Sequence, residues 1–148
     1  MRKLLLPPVF LFASIVLMLA LHFLFPVARV LSFPWTLIGA LLMAASLALG
    51  LAGAMAIKRH KTTIRPFEVS SHLVRSGVFG FSRNPIYVDM IALLIGLAVL
   101  LGSLSPFAVC IAFALVLHYR FVLMEEGMLA ERFGAEWRDY SGHVRRWI

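Results

Sequence analysis

The sequence predicts an all-α protein, an integral membrane bundle of about four transmembrane helices with a cytoplasmic loop and interfacial C-terminal helices. Hydrophobic residues make up 61% of the 148 residues, and the mean hydropathy is +0.92, whereas soluble domains are closer to half apolar. The apolar residues also collect in four long runs that are separated by shorter polar stretches. This length suits one helical bundle, so we treat residues 1–148 as a single domain.

The apolar runs give four predicted spans, at residues 4–25, 35–57, 86–101 and 107–124. A helix needs roughly 20 apolar residues to cross the hydrocarbon core. The first two runs meet that length, whereas the third and fourth are slightly short and would cross with little tilt. The first run resembles a signal peptide because Arg2 and Lys3 precede it, but it is too long and no small-residue cleavage site follows. We therefore expect a retained span.

The distribution of lysine and arginine predicts the orientation. Basic residues precede the first span, fill the loop at residues 58–85 and follow the fourth span, whereas the opposite loops hold only Arg29. The positive-inside rule places both termini and the middle loop in the cytoplasm, and we expect a bacterial or archaeal cytoplasmic membrane. The net charge of +7 has the same explanation, so we expect no nucleic-acid partner. The single cysteine, Cys110, excludes an intramolecular disulfide, and we expect no metal site.

Two features of the spans are explained by helix packing, and we assign them no catalytic or binding role. The uncharged turn at residues 102–105 is very short, which predicts that spans three and four form an antiparallel hairpin. Span two has a small residue at every fourth position, a spacing that lets helices approach closely in lipid within one chain or between chains. These residues are Ala40, Ala44, Ala48, Ala52 and Ala56.

The middle loop ends in the motif R-N-P-I-Y at residues 83–87, directly before span three. The loop is long, and its apolar residues favour a segment that folds onto the membrane surface. Asn84 and Pro85 are typical of a helix start, with Asn as the N-cap and Pro at the first helical position, so capping alone could explain them. Capping does not explain Arg83, Tyr87 or Asp89. An ionisable residue in a membrane helix indicates a functional site.

A carboxylate pair, Glu125 and Glu126, follows the fourth apolar run. Two acids at a helix C-terminus oppose the helix macrodipole unless the helix continues or a partner compensates. Arg120 is a candidate partner of Glu125, but on a regular helix the two lie about 140° apart, so their pairing requires a long reach or a local unwinding. Gly134 is expected to end this helix, and residues 135–140 are expected to form a further short helix at the membrane interface.

Three motifs follow one another along the chain: L-V-R-S-G-V-F at residues 73–79, F-S-R-N-P-I-Y at 81–87, and E-E-G-M-L at 125–129 with F-G-A-E-W-R-D-Y at 133–140. In this order, each at the cytoplasmic end of a span, they resemble the isoprenylcysteine carboxyl methyltransferase family and the related phospholipid methyltransferases. The resemblance extends from about residue 62 to the end of the chain. The chain differs from the eukaryotic members, which have His at the position of Asn84 and more spans.

The resemblance implies S-adenosylmethionine as the cofactor. Its pocket would be enclosed by the middle loop, the start of span three and the C-terminal segment. By resemblance, Arg120 and Glu125 are the catalytic residues beside the methyl acceptor. The residues implied in cofactor binding are His72, Leu73, Val74, Gly77, Phe79, Arg83, Asn84, Pro85, Tyr87 and Glu126.

The acceptor implied by the resemblance is a lipophilic carboxylate, as in isoprenylcysteine O-methylation, oriented by the N–H donors of Arg120. It would be a small lipophilic molecule or a lipidated substrate that reaches the site from the bilayer, among the membrane lipids. Two other acceptors stay open: the amine of a phospholipid or other small lipid, and a thiol. A non-enzymatic membrane scaffold, in which the charged clusters only form salt bridges, also stays open. An amine would require a neutral or anionic pocket in place of an arginine. The oligomeric state also stays open.

Overall fold

A computed structural model of the protein describes residues 6–59 and 72–148. Over these residues the chain is helical, which confirms the predicted class. The elements are α1 (Pro7–Leu24), α2 (Leu37–Arg59), a 3-10 turn (Gly77–Gly80), α3 (Pro85–Leu101), α4 (Ser105–Leu117), a π-helical segment (His118–Val122), α5 (Leu123–Phe133) and α6 (Ala135–His143). Residues 60–71 of the middle loop, and Arg2 and Lys3, lie outside the described residues.

Three helices of the described chain are long and apolar enough to cross a membrane. They are α1, α2 and the helix formed by α4, the π segment and α5 together, whereas α3 is a shorter apolar helix of 17 residues. The first three predicted spans agree with α1, α2 and α3 to within a few residues at each end, although the start of the first span lies outside the described residues. The chain is a membrane protein built as a helical bundle.

The helix that contains the fourth predicted span, residues 107–124, extends beyond that apolar run at both ends. Ser105–Phe133 forms one helix of 29 residues, which is roughly 44 Å long and therefore exceeds a hydrocarbon core of about 30 Å. Glu125 and Glu126 thus lie inside a helix that continues for two more turns, so the expected conflict with the macrodipole of a helix end does not arise. Gly134 ends the helix as predicted, with a φ of 50°.

The most extensive helix contact of the described chain joins α2 to α3, and glycines make it possible. A Cβ atom at Gly39 would collide with the backbone of Gly96 and Leu100, so only a residue without a side chain fits there. Ser46 is buried on the same side of α2. Its hydroxyl donates a hydrogen bond of 2.8 Å to Met43 O, so this polar group has a partner inside the bundle. Small residues do bring this helix close to its neighbour, as expected for association in lipid.

The alanine stripe of α2 is not the face that makes this contact. Ala40, Ala44 and Ala48 are exposed, and Ala52 and Ala56 are only partly buried. Gly39, which lies on the contact face, is one residue away from Ala40, and therefore about 100° around the helix. The sequence left open whether this stripe packs within one chain or between chains, and its first three members do not pack inside the described chain.

The apolar core lies between α1, α3 and the long helix. Met18, Leu94, Leu117 and Phe121 are fully buried there, and the ring of Phe121 meets that of Phe10 edge-on at 5.8 Å. Large apolar side chains on the outer faces of the helices are exposed. Such surfaces suit lipid, which leaves the polar side chains to collect at the two ends of the bundle.

One end of the bundle is closed by the turn between α3 and α4. Gly102 caps α3 in the left-handed conformation, with a φ of 71°. Gly102 O accepts a hydrogen bond from Val30 N at 2.9 Å, and Leu104 N donates one to Ala28 O at 2.9 Å. The linker between α1 and α2 is thereby fixed to this turn. The first turn of α3 and the whole of α5 lie at the opposite end.

Candidate functional site

The motifs singled out in the sequence meet at the end of the bundle that is opposite Gly102. Five parts of the chain contribute to this site: residues 72–84, the first turn of α3, α5, α6 and the C-terminal tail, residues 144–148. Several of these contacts span about sixty residues of sequence. The described chain therefore gathers its interhelical ion pairs at one end of an apolar bundle.

The R-N-P motif starts α3 but does not cap it through the asparagine side chain. Asn84 holds the N-cap position and Pro85 follows at N1, as predicted. However, Asn84 Nδ2 donates a hydrogen bond to Arg146 O at 3.1 Å, and Asn84 N donates to Ser82 Oγ at 3.1 Å. Capping alone is therefore not the explanation of Asn84. This buried amide ties the start of α3 to the C-terminal tail.

Tyr87 and Glu125 form a polar pair between α3 and α5. The Tyr87 hydroxyl donates a hydrogen bond of 2.6 Å to Glu125 Oε1, and Tyr87 is only 7% exposed. The ring of Tyr87 packs against Phe121 at 6.4 Å, which fixes its direction. A carboxylate is thus held at the inner end of the site by a neutral hydroxyl.

Arg120 does not pair with Glu125. The helix does unwind locally, in the π-helical segment His118–Val122, and such insertions turn the residues that follow. Arg120 is nevertheless exposed, and no described residue forms an ion pair or hydrogen bond with it. The pairing considered from the sequence is replaced by the Tyr87–Glu125 hydrogen bond. Arg120 lies on the outer surface of the same helix.

Glu126 is the centre of an ionic cluster with two arginines. The Arg146 guanidinium binds Glu126 through two nitrogen atoms, in a fork. Nε lies 3.0 Å and 3.1 Å from the two carboxylate oxygens, and Nη2 lies 2.8 Å from Oε2. Arg83 Nη1 lies 3.6 Å from Glu126 Oε1, and the Arg83 guanidinium stacks over the Trp137 ring at 5.5 Å. The side chains of Arg83 and Glu126 are 14% and 12% exposed. Two cations surround one anion, so the cluster has an excess positive charge.

The segment before α3 is fastened to α6 by side-chain contacts. The Tyr140 hydroxyl donates a hydrogen bond of 2.7 Å to Phe79 O. Arg75 lies 2.6 Å from Glu136 Oε1 and 3.4 Å from Asp139 Oδ2. Burial raises the pKa of Tyr140 to about 12, although the nearby arginines partly oppose the shift. The phenol therefore stays neutral and keeps donating at any physiological pH.

The structure brings six of the predicted site residues together. They are Arg83, Asn84, Pro85, Tyr87, Glu125 and Glu126. Phe79 is tied to Tyr140 of α6 through its carbonyl, and Val74 is buried, whereas Leu73 is half-buried. His72, Gly77 and Arg120 are exposed and make no polar contact with this cluster in the described chain.

Asp89 also stands apart from the cluster. Two residues after Tyr87, it lies about 200° around α3, and its carboxylate is against Gly50 of α2, where a Cβ atom would collide with it. Asp89 is a candidate functional residue from the sequence because it is an ionisable residue in a membrane helix. Its position shows that it is not part of the Tyr87–Glu125 pair.

No pattern in the sequence marks Arg146 as a site residue. It reads as one of several basic residues in a cytoplasmic tail, and the tail binds mainly through backbone carbonyls, which leave no pattern in a sequence. Trp137 and Tyr140 were noticed as part of a motif, but nothing in their spacing showed that they contact Arg83 and Phe79.

Comparison with known protein families gives a match to most of the chain. A family model described as phospholipid methyltransferase matches residues 34–136 of the chain. The matched region contains Arg83, Tyr87, Glu125 and Glu126, whereas Tyr140 and the C-terminal tail lie beyond it. No curated protein matches the chain.

Proposed function

Since this chain belongs to the phospholipid methyltransferase family, we propose that it transfers a methyl group from S-adenosylmethionine to a lipophilic acceptor at the cytoplasmic surface of the membrane. Family membership supports a membrane methyltransferase and agrees with the resemblance of the three motifs. The cofactor, the acceptor and the residues that act on them are our proposal.

The observation that carries the proposal is the Arg83–Glu126 cluster. Arg83 Nε is buried and has no hydrogen-bond acceptor in the described chain, although Nη1 of the same group lies near Glu126. A buried donor without an acceptor is costly, so this atom suits a ligand that brings an anionic oxygen. The carboxylate of S-adenosylmethionine is such a group.

The remaining groups of the cluster also fit this cofactor. Glu126 can accept hydrogen bonds from ammonium or hydroxyl groups, since a carboxylate has about four acceptor positions. Trp137 and Tyr140 place two aromatic rings at 5.8 Å from each other beside Arg83, and aromatic faces suit a purine base. We therefore propose that Arg83, Glu126 and Trp137 hold the cofactor, together with the segment before α3.

The cofactor would supply an activated methyl group, so the protein needs to align the acceptor and exclude water rather than perform difficult chemistry. Tyr87 fixes one oxygen of Glu125 and leaves the other available to an acceptor. The buried position of this pair, against Phe121, keeps bulk water away. Glu125 can thus orient a cationic group and receive its proton.

This geometry favours an amine acceptor over the carboxylate implied by the first resemblance. Arg120, which would have oriented a carboxylate, is exposed and separated from Glu125 by the turn of the helix. The side chain that occupies the inner end of the site is an acid held by a neutral hydroxyl. An anionic pocket attracts an ammonium head group, so we propose a phospholipid or other small-lipid amine. The acceptor would reach it laterally from the bilayer.

Cofactor binding is the first test. We expect purified protein in detergent to bind S-adenosylmethionine and S-adenosylhomocysteine in calorimetry, with affinity strongly reduced in Arg83→Ala and Glu126→Ala. Glu131→Ala is the matched control, because Glu131 is exposed on the same helix, α5. A folded protein that binds neither compound would exclude the proposed cofactor.

The acceptor is tested with labelled cofactor and two lipids. We expect methyl transfer to a phospholipid with a primary amine head group, loss of that transfer in Glu125→Gln, and little change in Arg120→Ala. Transfer to a prenylated cysteine carboxylate that depends on Arg120 would contradict the amine and restore the carboxylate.

A further inference from the structure

The C-terminal tail crosses the candidate site and connects its two sides. Arg83 N donates a hydrogen bond to Arg145 O at 3.0 Å, and Asn84 Nδ2 donates to Arg146 O at 3.1 Å, which fixes the tail to the start of α3. The Arg146 side chain extends to Glu126 on α5. Trp147 then packs against the apolar core and lies 6.1 Å from the His118 ring. The tail is therefore an integral wall of the site.

Arg146 determines the orientation of Glu126 and, through it, the distance between Glu126 and Arg83. Its fork occupies an edge of the Glu126 carboxylate and fixes the rotation of that group, since bidentate arginine–carboxylate pairs have a defined geometry. With Glu126 satisfied in this way, Arg83 approaches it only to 3.6 Å and keeps a buried Nε without an acceptor in the described chain. If Arg146 were absent, Arg83 could close onto Glu126, and its donors would no longer be available to a ligand.

We propose that Arg146 is a positioning residue for cofactor binding, and that the tail is part of the enzyme's binding site. Arg146 acts through its neighbours: it orients Glu126 and leaves Arg83 free for an anionic group of the cofactor. This inference rests on the proposed function. It extends that function to a part of the chain beyond residues 34–136, which the family model matches.

The test compares Arg146→Ala, Arg146→Lys and Arg138→Ala with the wild type. Arg138 is exposed on α6 and forms no side-chain contact with the site in the described chain, so Arg138→Ala removes the same charge from the same region. The hydrogen bonds that Arg83 N and Asn84 Nδ2 donate to the tail carbonyls do not involve the side chains of Arg146 or Arg138, so we expect them to hold the tail in every variant. Thermal unfolding in detergent shows whether each variant is folded.

We expect Arg146→Ala to bind S-adenosylhomocysteine about tenfold or more weakly than the wild type, the usual effect of losing a charged hydrogen bond. The KM for the cofactor should rise with it, whereas kcat should change less. Arg146→Lys should recover only part of the affinity, because lysine keeps the charge and loses the fork. Arg138→Ala should behave as the wild type.

Two results would overturn the inference while the proposed function stands. Equal affinity in Arg146→Ala and Arg138→Ala would show that Arg146 is not needed. Tighter binding in Arg146→Ala would show that the arginine competes with the cofactor for Glu126 instead of positioning it. A wild-type protein that binds no cofactor overturns both, and that result is distinct from either of the others.

Discussion

At the scale of single residues, the site depends on partners that sequence spacing does not specify. Glu125 illustrates this: its nearest candidate cation in the sequence was Arg120, yet its hydrogen-bond donor is Tyr87, 38 positions earlier in the chain. A neutral donor occupies one oxygen of this carboxyl group. The other oxygen therefore remains available to whatever enters the site.

The role of Tyr87 is tested by removing its hydroxyl. We expect Tyr87→Phe to lower kcat for methyl transfer by about tenfold to a hundredfold, since hydrogen bonds to charged groups contribute roughly 1.5–3 kcal/mol. Cofactor affinity should change little, because Tyr87 contacts Glu125 and not the Arg83–Glu126 cluster. Tyr119→Phe is the control, as Tyr119 is 69% exposed. Kinetics with saturating cofactor would separate the two effects, and a selective loss of cofactor affinity would contradict this assignment.

The burial of Tyr140 predicts how its hydrogen bond responds to alkaline pH. Burial raises its pKa to about 12 from an ordinary value of 10.0, which means that folding favours the neutral phenol. The hydrogen bond to Phe79 O should therefore contribute fully below pH 10 and be lost as the pH rises through about 12. An absorbance titration of tyrosinate should show a component near pH 12 that disappears in Tyr140→Phe. If the variant loses a component near pH 10 instead, Tyr140 is not buried as described.

At the scale of elements, composition and charge predict the helices well and the contacts between them less well. Apolar run length located α1, α2 and α3, since crossing a hydrocarbon core requires a minimum length. Apolar run length does not mark the end of the last long helix, because polarity begins at Glu125 while the helix continues to Phe133. The helix ends at a glycine in the left-handed region, which is a local signal, and that end was predicted correctly.

Helix contacts were predicted less well because periodicity does not identify the partner. Alanine recurs at every fourth position of α2, yet the close approach to α3 uses Gly39 and Gly96 on another face. Two small-residue faces compete on one helix, and only the shape of the neighbour decides between them. The same applies to Asn84, whose position was predicted but whose side chain binds the tail rather than the helix end.

The contact between α2 and α3 is tested by adding a single methyl group. Gly39→Ala places a Cβ atom against the backbone of Gly96 and Leu100, and overpacking of this kind costs about 1–3 kcal/mol. Gly127→Ala is the matched control, because nothing lies within 4 Å of its Cβ position in the helix α5. That change should be neutral or stabilise by up to about 1 kcal/mol through helix propensity. Thermal unfolding in detergent compares the two, and equal Tm values would contradict the close approach.

At the scale of the whole molecule, the bundle has two chemically different ends. Hydrogen bonds join the linker between α1 and α2 to the Gly102 turn, so Arg29 lies at the end away from the candidate site. The site end holds Arg75, Arg83 and Arg146, together with the acids that partner them. An apolar bundle with its ion pairs at one end suits an enzyme that meets a water-soluble cofactor and a lipid acceptor at the same surface.

The distribution of charge over the whole chain predicts the orientation of the bundle in the membrane. The excess of lysine and arginine at the site end predicts that this end faces the cytoplasm, because positively charged segments are retained on that side. In a Cys110→Ala background, Ser32→Cys tests the linker between α1 and α2, and Gly142→Cys tests α6; both positions are exposed. A membrane-impermeant thiol reagent added to intact cells should label Ser32→Cys and should label Gly142→Cys only after permeabilisation.

The reverse labelling pattern would place the site outside the cytoplasm, away from a cytosolic cofactor. In that case the excess positive charge of the site end would have to be explained by its ligand. Arg83 and Arg146 carry two positive charges, whereas Glu126, which pairs with both, carries at most one negative charge. With the expected pattern, the same arginines serve two physical purposes. They orient the bundle in the membrane, and they leave one buried donor, Arg83 Nε, for an anionic group that arrives from the cytoplasm.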